Sequence, residues 1–220
     1  MLRRVCILRS EEPMGRKIVF ATGNAGKMRE IREILSDTDM EILSMKEAGI
    51  EADIEENGTT FEENAVIKAK AVAQMLAGHA EEYRDAVVLA DDSGLEIDAL
   101  NKEPGIYSAR YMGEDTPYSV KSRNLIDRLA GVPDEKRTAR FVCAIAAALP
   151  DGEVFTTYGV IEGRIGYEEK GNNGFGYDPI FYVPEYGCTT AELTEEQKNQ
   201  ISHRGRALAA MKKELKKRIS

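Results

Sequence analysis

A short apolar run, Ile18 to Ala21, breaks into Thr22-Gly23-Asn24-Ala25-Gly26-Lys27 and is followed by Met28, Ile31, Ile34 and Leu35 at helical spacing. Strand, glycine-containing turn and helix in that order are the opening unit of an α/β protein. Later patterns extend the unit. Thr60-Phe61-Glu62-Glu63 has the form of a capping box with Glu63 as its N3 member, and Phe61, Ala65, Ala69, Val72 and Leu76 supply the apolar stripe of the helix behind it. Ala86 to Ala90 reads as a buried strand running into Asp91-Asp92-Ser93-Gly94. Thr116-Pro117 opens a third helix, with Thr116 as N-cap and Val120, Leu125 and Leu129 facing inward. Phe141 to Leu149 and Glu153 to Ile161 flank Pro150-Asp151-Gly152 and form a hairpin. Ile180 to Val183 is a short strand, and a helical stretch over 194–219 is broken near Ser202. Parallel crossovers followed by a hairpin require a mixed sheet.

No repeat, linker or low-complexity tract divides the 220 residues, so a single domain is expected over 17–220 behind an irregular leader, 1–16. The leader's apolar stretch, Val5 to Leu8, is too short for a secretory signal, and Met14 offers an alternative start. Cys6, Cys143 and Cys188 are far apart with no CxxC pair, which argues against a zinc site or disulfide framework and for a reducing, cytoplasmic setting. No apolar run approaches membrane-spanning length. Thirty Lys and Arg against 38 Asp and Glu leave a net charge of −8, which argues against nonspecific nucleic-acid binding. A small phosphate ligand stays open, because a few local cations and a metal outweigh the global field.

Five segments carry candidate chemistry. In Thr22 to Lys27, free backbone N–H groups at a helix start favour an anion and Lys27 adds a charge, although the spacing is not that of a Walker A loop. An ordinary turn with a solvated lysine is equally compatible. Glu55-Glu56 precedes the helix on which Asn64 and Lys68, four apart, share a face. Asp91-Asp92-Ser93-Gly94 sets two carboxylates at the end of an apolar strand, where burial demands a cation beside them. Hard oxygen donors without His or Cys suit magnesium or manganese. In Gly174-Phe175-Gly176-Tyr177-Asp178-Pro179 an aromatic pair between glycines presents a flat face to a base, or simply packs in a core turn. Lys198 with His203-Arg204 either caps a helix in solvent or donates to carbonyl and phosphate oxygens.

Together these segments resemble the inosine/xanthosine triphosphate pyrophosphatases, in that family's order and over nearly everything from Lys17 to the last helix. The motifs are Thr22-Gly23-Asn24 with Lys27, the stretch Thr60 to Ala69, Asp91 to Leu95, Pro104 to Arg110, Gly174 to Pro179 and Ile201 to Arg204. The resemblance implies an elongated mixed sheet flanked by helices, with two lobes and a nucleotide cleft. It implies a cytosolic, magnesium-dependent homodimer that splits non-standard purine triphosphates (ITP, dITP, XTP) into monophosphate and pyrophosphate. By motif, Asp92 is the proton acceptor, with Asp92 and Glu56 as metal contacts. Thr22, Gly23, Asn24, Ala25, Gly26, Lys27, Lys68, Ser93, Phe175, Gly176, Tyr177, Asp178, Lys198, His203 and Arg204 then contact substrate. The competing reading is a nucleotide sensor without hydrolysis, which would gain little from carboxylates clustered beside phosphates.

Overall fold

In the computed structural model, which describes residues 16–78 and 81–219, the first strand β1 (Lys17–Phe20) pairs in parallel with β2 (Glu41–Ser44) on one side and β3 (Val87–Ile97) on the other. From β3 the sheet continues antiparallel through β4 (Thr138–Ala148), β5 (Val154–Ile165), β6 (Phe181–Val183) and β7 (Cys188–Thr189), in the order β2-β1-β3-β4-β5-β6-β7. The expected mixed α/β sheet is therefore present, and β4 and β5 form the expected hairpin. The expected leader, with Cys6 and Met14, lies outside the described residues apart from its last position, and so does His79.

The sheet is covered on both faces because its strands alternate. Val88 and Ala90 of β3, with Val142 and Ala144 of β4, pack under α2 (Phe61–Ala77), which contributes Phe61, Ala65, Ala69, Val72 and Leu76. Val87 and Leu89, with Cys143 and Ile145, face the other way. There they meet Met28 and Ile31 of α1 (Ala25–Ile34) and Leu208, Met211 and Leu215 of α5 (His203–Arg218). A third cluster joins Leu95, Ile97, Phe141, Ile161 and Phe181 to Leu125 and Leu129 of the segment around α3 (Tyr118–Arg128).

Local signals were right in kind and displaced in detail. Thr60 Oγ1 accepts from the Glu63 amide at 3.1 Å, but the Glu63 carboxylate reaches back to Thr59, one residue beyond the expected box. α3 starts after Pro117 and has no side-chain cap; the Thr116 hydroxyl donates to the Met112 carbonyl instead. Val120, in the first turn, is 47% exposed rather than inward, because only Leu125, Ile126 and Leu129 reach the core.

Ser202 breaks the C-terminal stretch as expected. Its extended backbone ends α4 (Glu195–Ile201), and its hydroxyl accepts from the Gly205 amide to start α5. Gly159 of β5 allows α5 to settle there: a Cβ on it would lie 2.1 Å from the His203 carbonyl oxygen. The first turn of α5 is thereby pressed against the sheet, and His203 and Arg204 are buried.

Candidate active site

Asp91 and Asp92 do not end their strand. β3 runs on to Ile97, paired with β4 along its length from Val88↔Ala148 to Ile97↔Ala139. What ends beside the aspartates is β1, whose pairing with β3 stops at Phe20↔Leu89. The carboxyl end that lies beside the site is that of β1, and β3, its neighbour in the sheet, runs on past it. Two buried carboxylates are tolerated in mid-strand because each finds cations on its own face.

Successive strand residues point to opposite faces, so the adjacent carboxylates separate. Asp91 turns toward α1 and α5, where Lys27 Nζ lies 3.0 Å from Oδ1 and Arg204 donates from Nε and Nη2 to Oδ2 at 3.2 Å. Asp92 turns toward α2, where Asn64 Nδ2 donates to Oδ2 at 3.0 Å and Lys68 Nζ stands 3.9 Å from Oδ1. Lys68 also pairs with Glu56 at 3.0 Å, so one ammonium sits between two carboxylates. The helical spacing of Asn64 and Lys68 does serve one target, as their shared face required.

The electrostatics of the two acids diverge. Burial pushes Asp91 up, but Lys27 and Arg204 overrule it and hold the carboxyl far below the usual range. Burial also pushes Asp92 up. There Lys68 and Lys27 only partly offset it, Glu56 adds repulsion, and the carboxyl stays above its ordinary value. The adjacent aspartates thus carry opposite shifts, Asp91 held ionised between two cations and Asp92 raised beside Lys68 and Glu56.

In the same pocket, Lys198 bridges Asp178 at 2.5 Å and Glu30 at 2.7 Å. Arg204 pairs with that same Glu30, so a buried chain of ion pairs runs Asp91–Arg204–Glu30–Lys198–Asp178. Burial alone would raise the Glu30 carboxyl, but Arg204 and Lys198 lower it. Phe175 lies beneath both cations, 4.9 Å from Lys198 Nζ and 5.6 Å from the Arg204 guanidinium carbon, and Asp178 fixes it by accepting from its amide at 2.8 Å. Its partner aromatic behaves differently. Tyr177 is buried, donates to the Ser108 carbonyl and meets Tyr118 edge-on, so only Phe175 remains as a platform.

His203 stacks on Phe141 with ring centroids 4.9 Å apart, and its Nδ1 is buried without a hydrogen-bond partner. Burial, reinforced by Arg204 and Lys198, keeps this imidazole neutral well below its ordinary pKa. Below about pH 6.5 the unfolded chain therefore binds a proton that the folded chain refuses, and stability falls by up to about 1.4 kcal/mol per pH unit. Thermal unfolding of the nucleotide-free protein between pH 7 and pH 5 is expected to show that decline, and His203→Gln to flatten it. An equal decline in the variant would remove His203 as its source.

A single pocket thus gathers Asn24, Lys27, Glu56, Lys68, Asp92 and Ser93 with Phe175, Gly176, Tyr177, Asp178, Lys198, His203 and Arg204. Thr22, Gly23 and Ala25 line a separate hollow beside β2, and Gly26 lies against the Phe175 ring, where a Cβ would come within 2.9 Å. Glu30, Glu114 and Tyr118 were not among the expected site residues, and Arg110 stood only at the end of the Pro104 to Arg110 motif, with no role assigned to it.

Glu56 and Asp92 are the donors that fit a cation. No cluster of three or more His, Cys, Asp or Glu suited to a metal occurs among the described residues. Two carboxylates suit magnesium, which keeps several waters and takes its remaining oxygens from substrate phosphates. No described helix is long and apolar enough to cross a membrane.

The sequence model of the Ham1 family matches residues 18–214. A dITP/XTP pyrophosphatase of Clostridium perfringens is 49% identical, over 91% of this chain and 98% of its own length. One from Bacillus subtilis is 45% identical, over 90% and 96%. The solved structure of the Staphylococcus aureus Ham1 protein superimposes with a TM-score of 0.79 at 42% identity, covering 92% of this chain and all of that one.

Proposed function

The chain belongs to the Ham1 family, and on that premise we propose that its 17–220 domain hydrolyses non-standard purine nucleoside triphosphates (ITP, dITP and XTP) to monophosphate and pyrophosphate. The observation that carries the reading is the interleaving of Glu56 and Asp92 with Lys27 and Lys68 in one pocket that also holds the Phe175 ring.

Charge supports a metal. Five cations line the pocket, Lys27, Lys68, Arg110, Lys198 and Arg204, and six carboxylates line it or pair with them: Glu30, Glu56, Asp91, Asp92, Glu114 and Asp178. Such a site does not attract a triphosphate of about four negative charges without added positive charge. Glu56 and Asp92 would hold magnesium, or manganese in its place, which when bound would supply that charge and Lewis-acid polarisation of the phosphate oxygens.

The chain's own groups do the rest. Lys27 and Lys68 turn from their carboxylates to the phosphates, with the Asn24 turn and Ser93 donating alongside. Asn64 holds Asp92 so that its second oxygen takes a proton from the attacking water. The water oxygen bonds to the α-phosphorus, the α–β bridging bond breaks, and its electron pair leaves with pyrophosphate. Phe175 and Gly176 carry the base, while Tyr177 and Asp178 fix that loop. Lys198, His203 and Arg204 present donors to a purine 6-oxo group, against which the adenine 6-amino group is mismatched. A homodimer in the cytoplasm belongs to the same proposal, supported by exposed Tyr107 and Tyr158 beside one groove.

Pyrophosphate release from inosine triphosphate, with magnesium and with chelator, tests the reading. Release is expected only with the metal, and adenosine triphosphate is expected to be slower by about 10²-fold or more. No release would reject the activity, and parity with adenosine triphosphate would reject the 6-position account.

A further inference from the structure

Among the cations of the pocket, four are already committed to carboxylates: Lys27 to Asp91, Lys68 to Glu56 and Asp92, Lys198 to Glu30 and Asp178, and Arg204 to Glu30 and Asp91. Arg110 is the exception. Among the described residues its guanidinium has no carboxylate within ion-pair distance, and its side-chain contact is the face of the exposed Tyr107 ring, 5.0 Å away. A ring beneath the guanidinium plane steadies it while leaving the edge N–H groups free. Those edges form the fork that binds phosphate in a bidentate manner.

Its position is specific. The pocket and a neighbouring groove share Glu56, Ile106 and Arg110, so Arg110 stands where the two meet, on the Glu56 side of Asp92. The segment leading to it is tied down. Fully buried Lys121 donates to the Ala109 carbonyl at 2.6 Å, Tyr177 donates to the Ser108 carbonyl at 2.9 Å, and Ser108 Oγ accepts from the Leu95 amide at 2.8 Å. With its base on Phe175 and its α-phosphorus at Asp92, a nucleotide whose chain continues past Glu56 would bring its terminal phosphates to that junction.

We propose that the Arg110 guanidinium binds the β- and γ-phosphates and neutralises the charge that arrives on pyrophosphate as the α–β bond breaks. The proposal rests on the triphosphate reading above and adds a residue that distinguishes a triphosphate from the monophosphate product. A cation free of partners in the empty site loses no ion pair when the polyphosphate arrives, so its whole interaction favours the bound and departing phosphates.

The test compares the full-length protein with Arg110→Gln and Arg110→Lys, all in magnesium, with unfolding midpoints recorded. Calorimetric binding of inorganic pyrophosphate is expected to weaken about 10- to 100-fold in Arg110→Gln, the loss of hydrogen bonds to a charged group. Binding of inosine monophosphate is expected to stay unchanged. kcat/KM for inosine triphosphate should fall with pyrophosphate affinity, and Arg110→Lys should recover part of both, since it keeps the charge and loses the fork. Unchanged pyrophosphate binding in Arg110→Gln would overturn the proposal. Equal weakening of pyrophosphate and monophosphate would overturn it too, because Arg110 would then act through the shape of the pocket. Pyrophosphate binding is read without turnover, so a wild-type protein inert toward inosine triphosphate would refute the proposed activity separately.

Discussion

Asp92→Asn is expected to lower kcat for inosine triphosphate by about 10²–10⁴-fold, the usual contribution of a positioned general base, while nucleotide binding stays measurable. The substitution keeps one oxygen to accept from Asn64 or Ser93, both of which now donate to the carboxylate, so the strand should hold. What is lost is the ability to take a proton, together with one of the two carboxylates proposed to hold magnesium, so both variants are measured at saturating metal. The neighbouring acid supplies the control. Asp91→Asn removes the anion between Lys27 and Arg204, so its main effect should fall on stability and affinity rather than on the proton-transfer step. Single-turnover rates and calorimetric affinities for both variants separate the roles, and near-wild-type turnover in Asp92→Asn would reject Asp92 as the base.

The second large effect is thermodynamic. Arg204→Met is expected to destabilise the fold by about 3 kcal/mol, the low end of the range for removing one partner of a buried ion pair. Arg204 is 2% exposed and serves both Asp91 and Glu30. The low end applies because Lys27 still faces Asp91 and Lys198 still faces Glu30. The urea midpoint should fall with an unchanged slope. Adding Asp91→Asn should cost less than it does in the wild-type background, since the unpaired charge is then gone. Strict additivity would mean that the pair contributes nothing as a pair.

The candidate site was legible where its chemistry is local. Phe61, Ala65, Ala69, Val72 and Leu76 announced the inner face of α2, and Asn64 and Lys68 on that helix both serve Asp92. Ser202 announced the break that starts α5. Glu30 was not legible, because nothing in a helix with apolar Met28 and Ile31 marks a glutamate as buried until its partners arrive. Val120 failed for the converse reason. It fits the helical period, but at the start of α3 the face turned inward is that of Lys121 and Ser122, both fully buried, and Val120 is left in solvent.

From the chain alone came the inventory and its local order: strand, turn and helix at the start, paired aspartates behind an apolar run, a glycine-flanked aromatic pair, and a late His-Arg. These depend on contacts a few residues apart, which propensity and periodicity encode. Tertiary structure decided which aspartate is held ionised between Lys27 and Arg204 and which carries a raised carboxyl beside Lys68 and Glu56. Alternation guarantees that the two part company, but only helix placement says what each meets. Arg204 reaches Asp91 across 113 residues and Glu30 across 174, and pairings over such spans leave no periodic signature for a sequence to show.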